Sequence, residues 1–228
     1  MASVADRMRE QDCTVGPSPN RGRPDKVENG SQAVVPRGNT YDKYGSSNVV
    51  ERRIMARFFA ALDAVLPTEA VGTVLEVGVG EGEVWTRVRE RYPGAHVLGV
   101  DLPDATLATA WHERALPGVF ADVASLPFPD RAFDLVLAIE VLEHVQDAHL
   151  ALQELHRVGR RHAVLSVPRE PIWRAANLAR GKYLPALGNT PGHVQHWSKR
   201  GFARLVAETF TVRSVASPFP WTIVSAEI

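Results

Sequence analysis

The sequence has a single cysteine, Cys13, in 228 residues. One thiol cannot close an intrachain disulfide, so a secreted cross-linked scaffold is excluded and a reducing compartment is expected. There is no excess of either charge: Lys and Arg number 26, and so do Asp and Glu. That removes a global electrostatic case for nucleic acid or an anionic membrane, while leaving room for a local basic patch. No apolar run approaches the roughly 20 residues that a spanning helix needs. The opening stretch MASVADRMREQDC is charged where a secretory signal would be apolar. A cytoplasmic protein with no membrane span is the expectation. With 45% hydrophobic and 23% charged residues the composition is that of an ordinary globular protein, and the length suits one domain with or without a tail.

Residues 1–38, which include TVGPSPNRGRPDKVENGSQ, are rich in Pro, Gly and polar side chains and carry no apolar period. Such a stretch buries too little surface to offset its ordering entropy, so a flexible tail is expected, with a domain over 39–228. Order should begin near Tyr41. NVVERRIMARFFAALDAVL places Ile54, Phe58, Leu62 and Val65 at helical spacing. Asn48 can cap that helix, Glu51 sits as in a capping box, and Pro67 closes it.

Beyond that helix, strands and helices alternate. Strands are expected at 73–79, 96–101, 118–122, 133–140 and 162–168, with helices at 83–93, 106–116, 147–160 and 199–210. Two final strands, 211–217 and 221–228, are separated only by PFP, a link too short for a helical crossover. The fold class is therefore α/β: a doubly wound, seven-stranded sheet, mostly parallel, with helices on both faces and an antiparallel last strand.

LEVGVGEGEV reads as strand, glycine turn and helix. Gly78, Gly80 and Gly82 allow a tight turn and close approach of a ligand, and the next helix offers free N–H groups. Asp101 ends the second strand, about 20 residues on, where an acid can bond ribose hydroxyls. A dinucleotide fingerprint needs a third glycine at 83, where Glu83 stands, and Glu76 ahead of the loop would repel a pyrophosphate and suit a cationic ligand.

Four segments in order, VLEVGVGEG, VLGVDLPD, ADVASLPFPDRAFDLVLAIEVLEHV and AVLSVPREP, make residues 41–228 similar to class I S-adenosylmethionine-dependent methyltransferases. The broad group is the one that includes the ubiquinone-biosynthesis O-methyltransferases. The resemblance implies a Rossmann-like sheet whose seventh strand closes the chain, with S-adenosylmethionine as cofactor. Carried over by position, Glu76 lies near the methionine end of the cofactor and Gly78 and Gly80 form a backbone wall. Asp101 bonds the ribose, Leu102 lies against adenine, and Asp122 accepts the adenine amino group with Val123 beside it. Tyr44 is expected to close over the cofactor carboxylate. Asp101 and Asp122 can equally cap a helix or turn.

AIEVLEHV, residues 138–145, sets Glu140, Glu143 and His144 among apolar neighbours at the end of the fourth strand. If the segment turns helical, the three share a face, and mixed carboxylate and imidazole donors suit a divalent ion such as Mg, Mn, Fe or Zn. The pattern resembles the E-x-x-E-H…H set of small-RNA 2′-O-methyltransferases. That resemblance implies His193 as the distant fourth ligand, with His196 either supporting the ligand set from behind or facing substrate as a catalytic group. Alternatively, Glu140 positions the cofactor through its backbone, and Glu143 and His144 act as catalytic groups, with His144 as base and no ion.

The insert 168–197 is too long for a plain connection and lies where such enzymes build a substrate cap. Trp173, Tyr183 and Trp197 could line it, and Arg169, Arg174, Arg180 and Lys182 form a basic cluster on it. A small-molecule methyl acceptor, with transfer to oxygen, is the expectation. An RNA 2′-O-methyltransferase or a non-catalytic partner protein of the same fold are the alternatives, and nucleic acid is disfavoured by the zero net charge.

Overall fold

The computed structural model describes residues 48–228. Cys13, the tail boundary near residue 38, Tyr41 and Tyr44 lie outside the described residues.

Helix α1 (Val49–Val65) opens with the Asn48 side chain accepting the Val50 N–H at 2.9 Å and buries Phe58 and Leu62. Then come β1 (Thr73–Val77), α2 (Glu83–Arg91), β2 (His96–Asp101), α3 (Ala105–Arg114), β3 (Gly118–Phe120) and β4 (Phe133–Ile139). A 3-10 turn (Leu142–His144) leads to α4 (Ala148–Val158), β5 (Gly159–Pro168) and α5 (Ile172–Ala179). A second 3-10 turn (Leu184–Ala186), α6 (Lys199–Ala207), β6 (Thr211–Ala216) and β7 (Trp221–Glu227) complete the chain. Helices α3, α4 and α6 start at Asp104, Asp147 and Ser198, whose side-chain oxygens take free N–H groups of the first turn.

Boundaries differ from expectation where a single residue redirects the chain. Helix α4 stops before Gly159, which turns extended and joins β5, so that strand starts three residues earlier than its apolar run. A Cβ at Gly159 would sit 2.2 Å from Ile228 Cδ1 and 3.0 Å from the Leu155 carbonyl, so the crossing needs glycine.

The sheet order is β3-β2-β1-β4-β5-β7-β6, with β7 antiparallel to both neighbours and all other pairs parallel. Alternation along the strands feeds two cores. On one face Leu75, Val77, Val136, Ala138 and Leu165 pack with Leu152 and Leu155 of α4 and Phe202 and Val206 of α6. On the other, Val74, Leu135, Leu137 and Val164 pack with Phe58 and Leu62 of α1, Trp85 and Val88 of α2 and Trp111 of α3. Leu152 and Leu155 are fully buried, as their spacing predicts.

The chain runs outward from β1 to β3 and returns to place β4 on the other side of β1. Strand order reverses there, and in open α/β sheets the carboxyl ends of two such strands are where a ligand crevice forms. The glycine loop leaves β1 at this edge and the EVLEH segment leaves β4. At the opposite edge, buried Asp134 accepts the amides of Gly72 and Thr73 and is gripped by Arg160. No helix among the described residues is long and apolar enough to cross a membrane.

Candidate active site

The glycine loop is built by backbone bonds to β2. The amides of Gly78 and Val79 both donate to the Val100 carbonyl, at 2.7 and 3.1 Å. Gly78, Gly80 and Gly82 all have positive φ, a conformation that costs glycine little. A Cβ on Gly78 would lie 2.2 Å from Val141 Cγ2, so the segment beyond β4 packs directly on this loop. A Cβ on Gly80 would meet nothing within 4 Å among the described residues, so this side of the loop is open with respect to them. Gly80 is gripped at both polar groups. Its N–H donates to Asp101 Oδ2 at 2.8 Å and its carbonyl accepts the Trp111 indole N–H at 2.7 Å.

Two acids stand at this loop. Glu76 is 2% exposed, and its Oε2 is enclosed with no hydrogen-bond partner among the described residues. Burial, with the Asp101 charge as a lesser cause, pushes its carboxyl well above the ordinary range. Burial likewise raises Asp101, against the opposing hydrogen bonds from Gly80 and Leu102. Each Asp101 oxygen accepts one amide, and a carboxylate has lone pairs for more. Leu102 is 39% exposed, Val123 is buried, and Asp122 Oδ1 accepts the Ala124 N–H at 2.9 Å to form the turn that follows. A buried carboxylate oxygen without a donor, beside an unfilled glycine face, fits a ligand that brings a cation to this edge.

The segment beyond β4 departs from the expected helix. Glu140 takes a left-handed backbone conformation, with φ of 60°, and only Leu142–His144 form a 3-10 turn. Its carboxylate accepts from Ser166 Oγ at 3.2 Å and Trp221 Nε1 at 2.6 Å. The expected four-residue metal set is therefore corrected to three. Glu143, His144 and His193 each offer a ligand atom within 4.8 Å of the others, and Glu140 is outside the group. Helical spacing does not apply to Glu140, because the left-handed residue breaks the helix before Glu143.

His144 Nδ1 lies 3.0 Å from the Gly192 carbonyl, which can only accept, so Nδ1 carries the proton and Nε2 is an acceptor in the neutral ring. The His144 and His193 rings meet edge-on at 4.8 Å, and Trp173 stacks beyond His193. His193 reaches the group because the cap is laced to the turn. The Glu143 carbonyl accepts the amides of Val194 and Gln195, at 2.8 and 3.0 Å. His196 does not join. It is exposed, and its Nε2 lies 2.7 Å from Asn189 Oδ1.

The 168–197 insert contains α5 and the second 3-10 turn. Buried Asn177 donates to the Gly188 carbonyl and to Thr190 Oγ1, which also accepts from Trp173 Nε1. Trp173 packs at 5.7 Å on Trp221, whereas Trp197 packs on Phe202 of the sheet domain. Ser166, Trp221, Asn177 and Trp111 are the residues that sequence reading passed over. Trp111 alone left a signal, as the one large aromatic in a helix whose only other sizeable apolar residue is Leu107, TLATAWHER.

Residues 75–167 match the family model described as a methyltransferase domain. The chain is 36% identical over 119 residues to a demethylmenaquinone methyltransferase of Thermus thermophilus, covering 49% of this chain and 54% of that protein. It is 33% identical over 122 residues to a malonyl-acyl-carrier-protein O-methyltransferase of Legionella pneumophila, covering 51% and 42%. The chain thus spans about half the length of these curated relatives. A solved S-adenosylmethionine-dependent methyltransferase from Mesorhizobium loti superposes with a TM-score of 0.58 at 20% identity, covering 75% of this chain and 98% of that one. Geranyl diphosphate methyltransferase, solved with GPP and sinefungin, gives 0.58 at 16% identity, covering 78% and 80%. These two solved structures share the fold, and the family match falls on the strands and loops that build the crevice. Residues 75–167 carry the match to a methyltransferase domain, and over about half its length the chain is similar to known methyltransferases.

Proposed function

We propose that the chain transfers the methyl group of S-adenosylmethionine to an oxygen of a small-molecule acceptor, in the crevice outside β1 and β4. The observation that carries this reading is the juxtaposition of two unlike half-sites at one sheet edge. One is acidic, with the open face of Gly80. The other is an imidazole–carboxylate group under a cap.

S-adenosylmethionine supplies a methyl already activated on a sulfonium. Glu76 stands ready for a cationic group, and Asp101 has spare lone pairs for hydroxyls. Asp122 and Leu102 flank the crevice farther along. The Trp173 and His193 rings give the acceptor side an aromatic wall that keeps water from the reacting atoms, and alignment of this kind supplies several kcal/mol. His144 is the group assigned to take the acceptor's proton, with its ring oriented by the bond between Nδ1 and the Gly192 carbonyl.

The same three side chains suit a divalent cation. Glu143, His144 and His193 combine one carboxylate and two imidazoles, a donor set for Mn, Fe or Zn more than for Mg. Such an ion would act as a Lewis acid that lowers the pKa of an acceptor hydroxyl. The two readings of His144 differ in their response to chelator.

Calorimetry of the full chain with S-adenosylhomocysteine tests the cofactor assignment: binding is expected, and its absence would remove the enzyme reading. With an acceptor in hand, EDTA is expected to abolish turnover and Mn or Zn to restore it. Full turnover in EDTA would leave His144 as the base alone. Glu143→Ala and His193→Ala are expected to lose metal uptake, read by elemental analysis, while keeping their affinity for S-adenosylhomocysteine.

A further inference from the structure

We infer that Trp111 is a positioning residue for the cofactor: its indole N–H fixes the Gly80–Glu81 peptide so that the Glu81 N–H is presented to the ligand. The inference rests on the cofactor reading above and names a residue that this reading does not use.

Five consecutive amides run through the loop, from Gly78 to Gly82. Four are tied inward: Gly78 and Val79 to the Val100 carbonyl, Gly80 to Asp101 Oδ2, and Gly82 to the Val79 carbonyl. The Glu81 N–H has no hydrogen-bond partner among the described residues. In a trans peptide the carbonyl of one residue and the N–H of the next point in opposite directions. The Gly80 carbonyl is drawn at 2.7 Å to Trp111 Nε1, so the Glu81 N–H is turned away from α3. Of the three loop glycines, Gly80 is the one whose Cβ would meet nothing within 4 Å among the described residues. Without the indole, rotation about the flanking bonds of a glycine at φ of 52° is cheap, and the N–H would not be held.

Trp111 is itself immobilised. It is 6% exposed, its ring stacks on Phe120 at 4.6 Å, and a Cβ on Gly118 would fall 2.4 Å from its Cε3. Arg114, one turn further along α3, pairs at 3.0 Å with Glu83, the first residue of α2, so α3 is joined once to the loop and once to the helix that follows it. The ligand chemistry follows. An N–H donor serves an acceptor atom, and the nearby Glu76 carboxylate serves a cation. A zwitterionic amino-acid moiety, with one group of each kind, uses both.

A buried indole needs an acceptor in any case, so a purely structural Trp111 must be told apart from a positioning one. Trp111→Phe keeps a ring against Phe120 and Gly118 and loses the donor. Calorimetry of the full-length variant with S-adenosylhomocysteine is expected to show affinity about fivefold to tenfold weaker, the scale of one net hydrogen bond. With an acceptor in hand, KM for S-adenosylmethionine is expected to rise while kcat at saturation stays unchanged. A structural role alone lowers the melting temperature and leaves affinity within twofold, and that result overturns the proposal. If the variant does not fold, the unmutated chain decides. Its Trp111 indole resonance, assigned through its contacts with Phe120, is expected to exchange with solvent more slowly when S-adenosylhomocysteine binds, and an unchanged exchange rate overturns the proposal. Failure of the unmutated chain to bind S-adenosylhomocysteine overturns the cofactor reading and this inference with it. Normal binding by both proteins overturns this inference alone.

Discussion

Glu76 is held in a costly state, a buried carboxyl without a donor for Oε2. Burial raises its folded pKa, so over the window from the ordinary carboxylate range up to that raised value the folded chain binds more protons than the unfolded one. Stability must then fall as pH rises through the window. Melting temperatures measured against pH should decline there for the unmutated chain and stay flatter for Glu76→Gln. That variant should also melt higher at pH 8 and bind S-adenosylhomocysteine about tenfold or more weakly, the scale of a charge-assisted hydrogen bond. Identical profiles for the two proteins would count against the assignment. Glu76, Gly78, Gly80 and Asp101 were legible because turn and acid lie within one βαβ unit. The direction of Glu140 was not, because its partners Ser166 and Trp221 stand 26 and 81 residues away. Its left-handed backbone follows from those bonds and not from local preference.

Among the elements, strands and helices followed their apolar periods, and only their ends moved. The interior of the cap gave no period to follow. It is ordered by polar bonds centred on Asn177, which is 1% exposed. Asn177→Ala should leave the Gly188 carbonyl without its side-chain donor, cost about 1–3 kcal/mol locally and speed amide exchange across 184–195. Affinity for S-adenosylhomocysteine should hold, because the glycine loop lies on other elements; a parallel loss of cofactor affinity would mean that the cap and loop order together. Leu142 tests the turn that carries Glu143 and His144. It is fully buried, and Leu142→Ala should cost about 2–5 kcal/mol, read by urea unfolding. A loss confined to the surface scale of a few tenths would show that the turn is not anchored through the core.

For the molecule as a whole, the two edges of the sheet respond oppositely to acid. Burial pushes Asp134 up, but Arg160 and the amides of Gly72 and Thr73 outweigh it and hold the carboxyl below its ordinary range. Its stabilising contribution is present above that range and is lost as pH falls through the lowered value. Asp134→Ala should therefore cost about 2–3 kcal/mol at neutral pH and less in strong acid, with affinity for S-adenosylhomocysteine unchanged. A differential scanning series checks both. The two groups thus pull the stability profile in opposite directions: Asp134 costs stability as pH falls through its lowered value, and Glu76 costs it as pH rises toward its raised one. The alternation of strands and helices was enough to infer an α/β sheet. The strand order was not legible, since alternation alone does not say on which side of β1 the chain returns. The tilted packing of Trp173 on Trp221, one ring from the cap and one from the sheet, has a use outside chemistry. Two indoles this close at an oblique angle couple their electronic transitions, so circular dichroism should carry a paired positive and negative band. That signal would report, without any label, each time the cap shifts against the sheet.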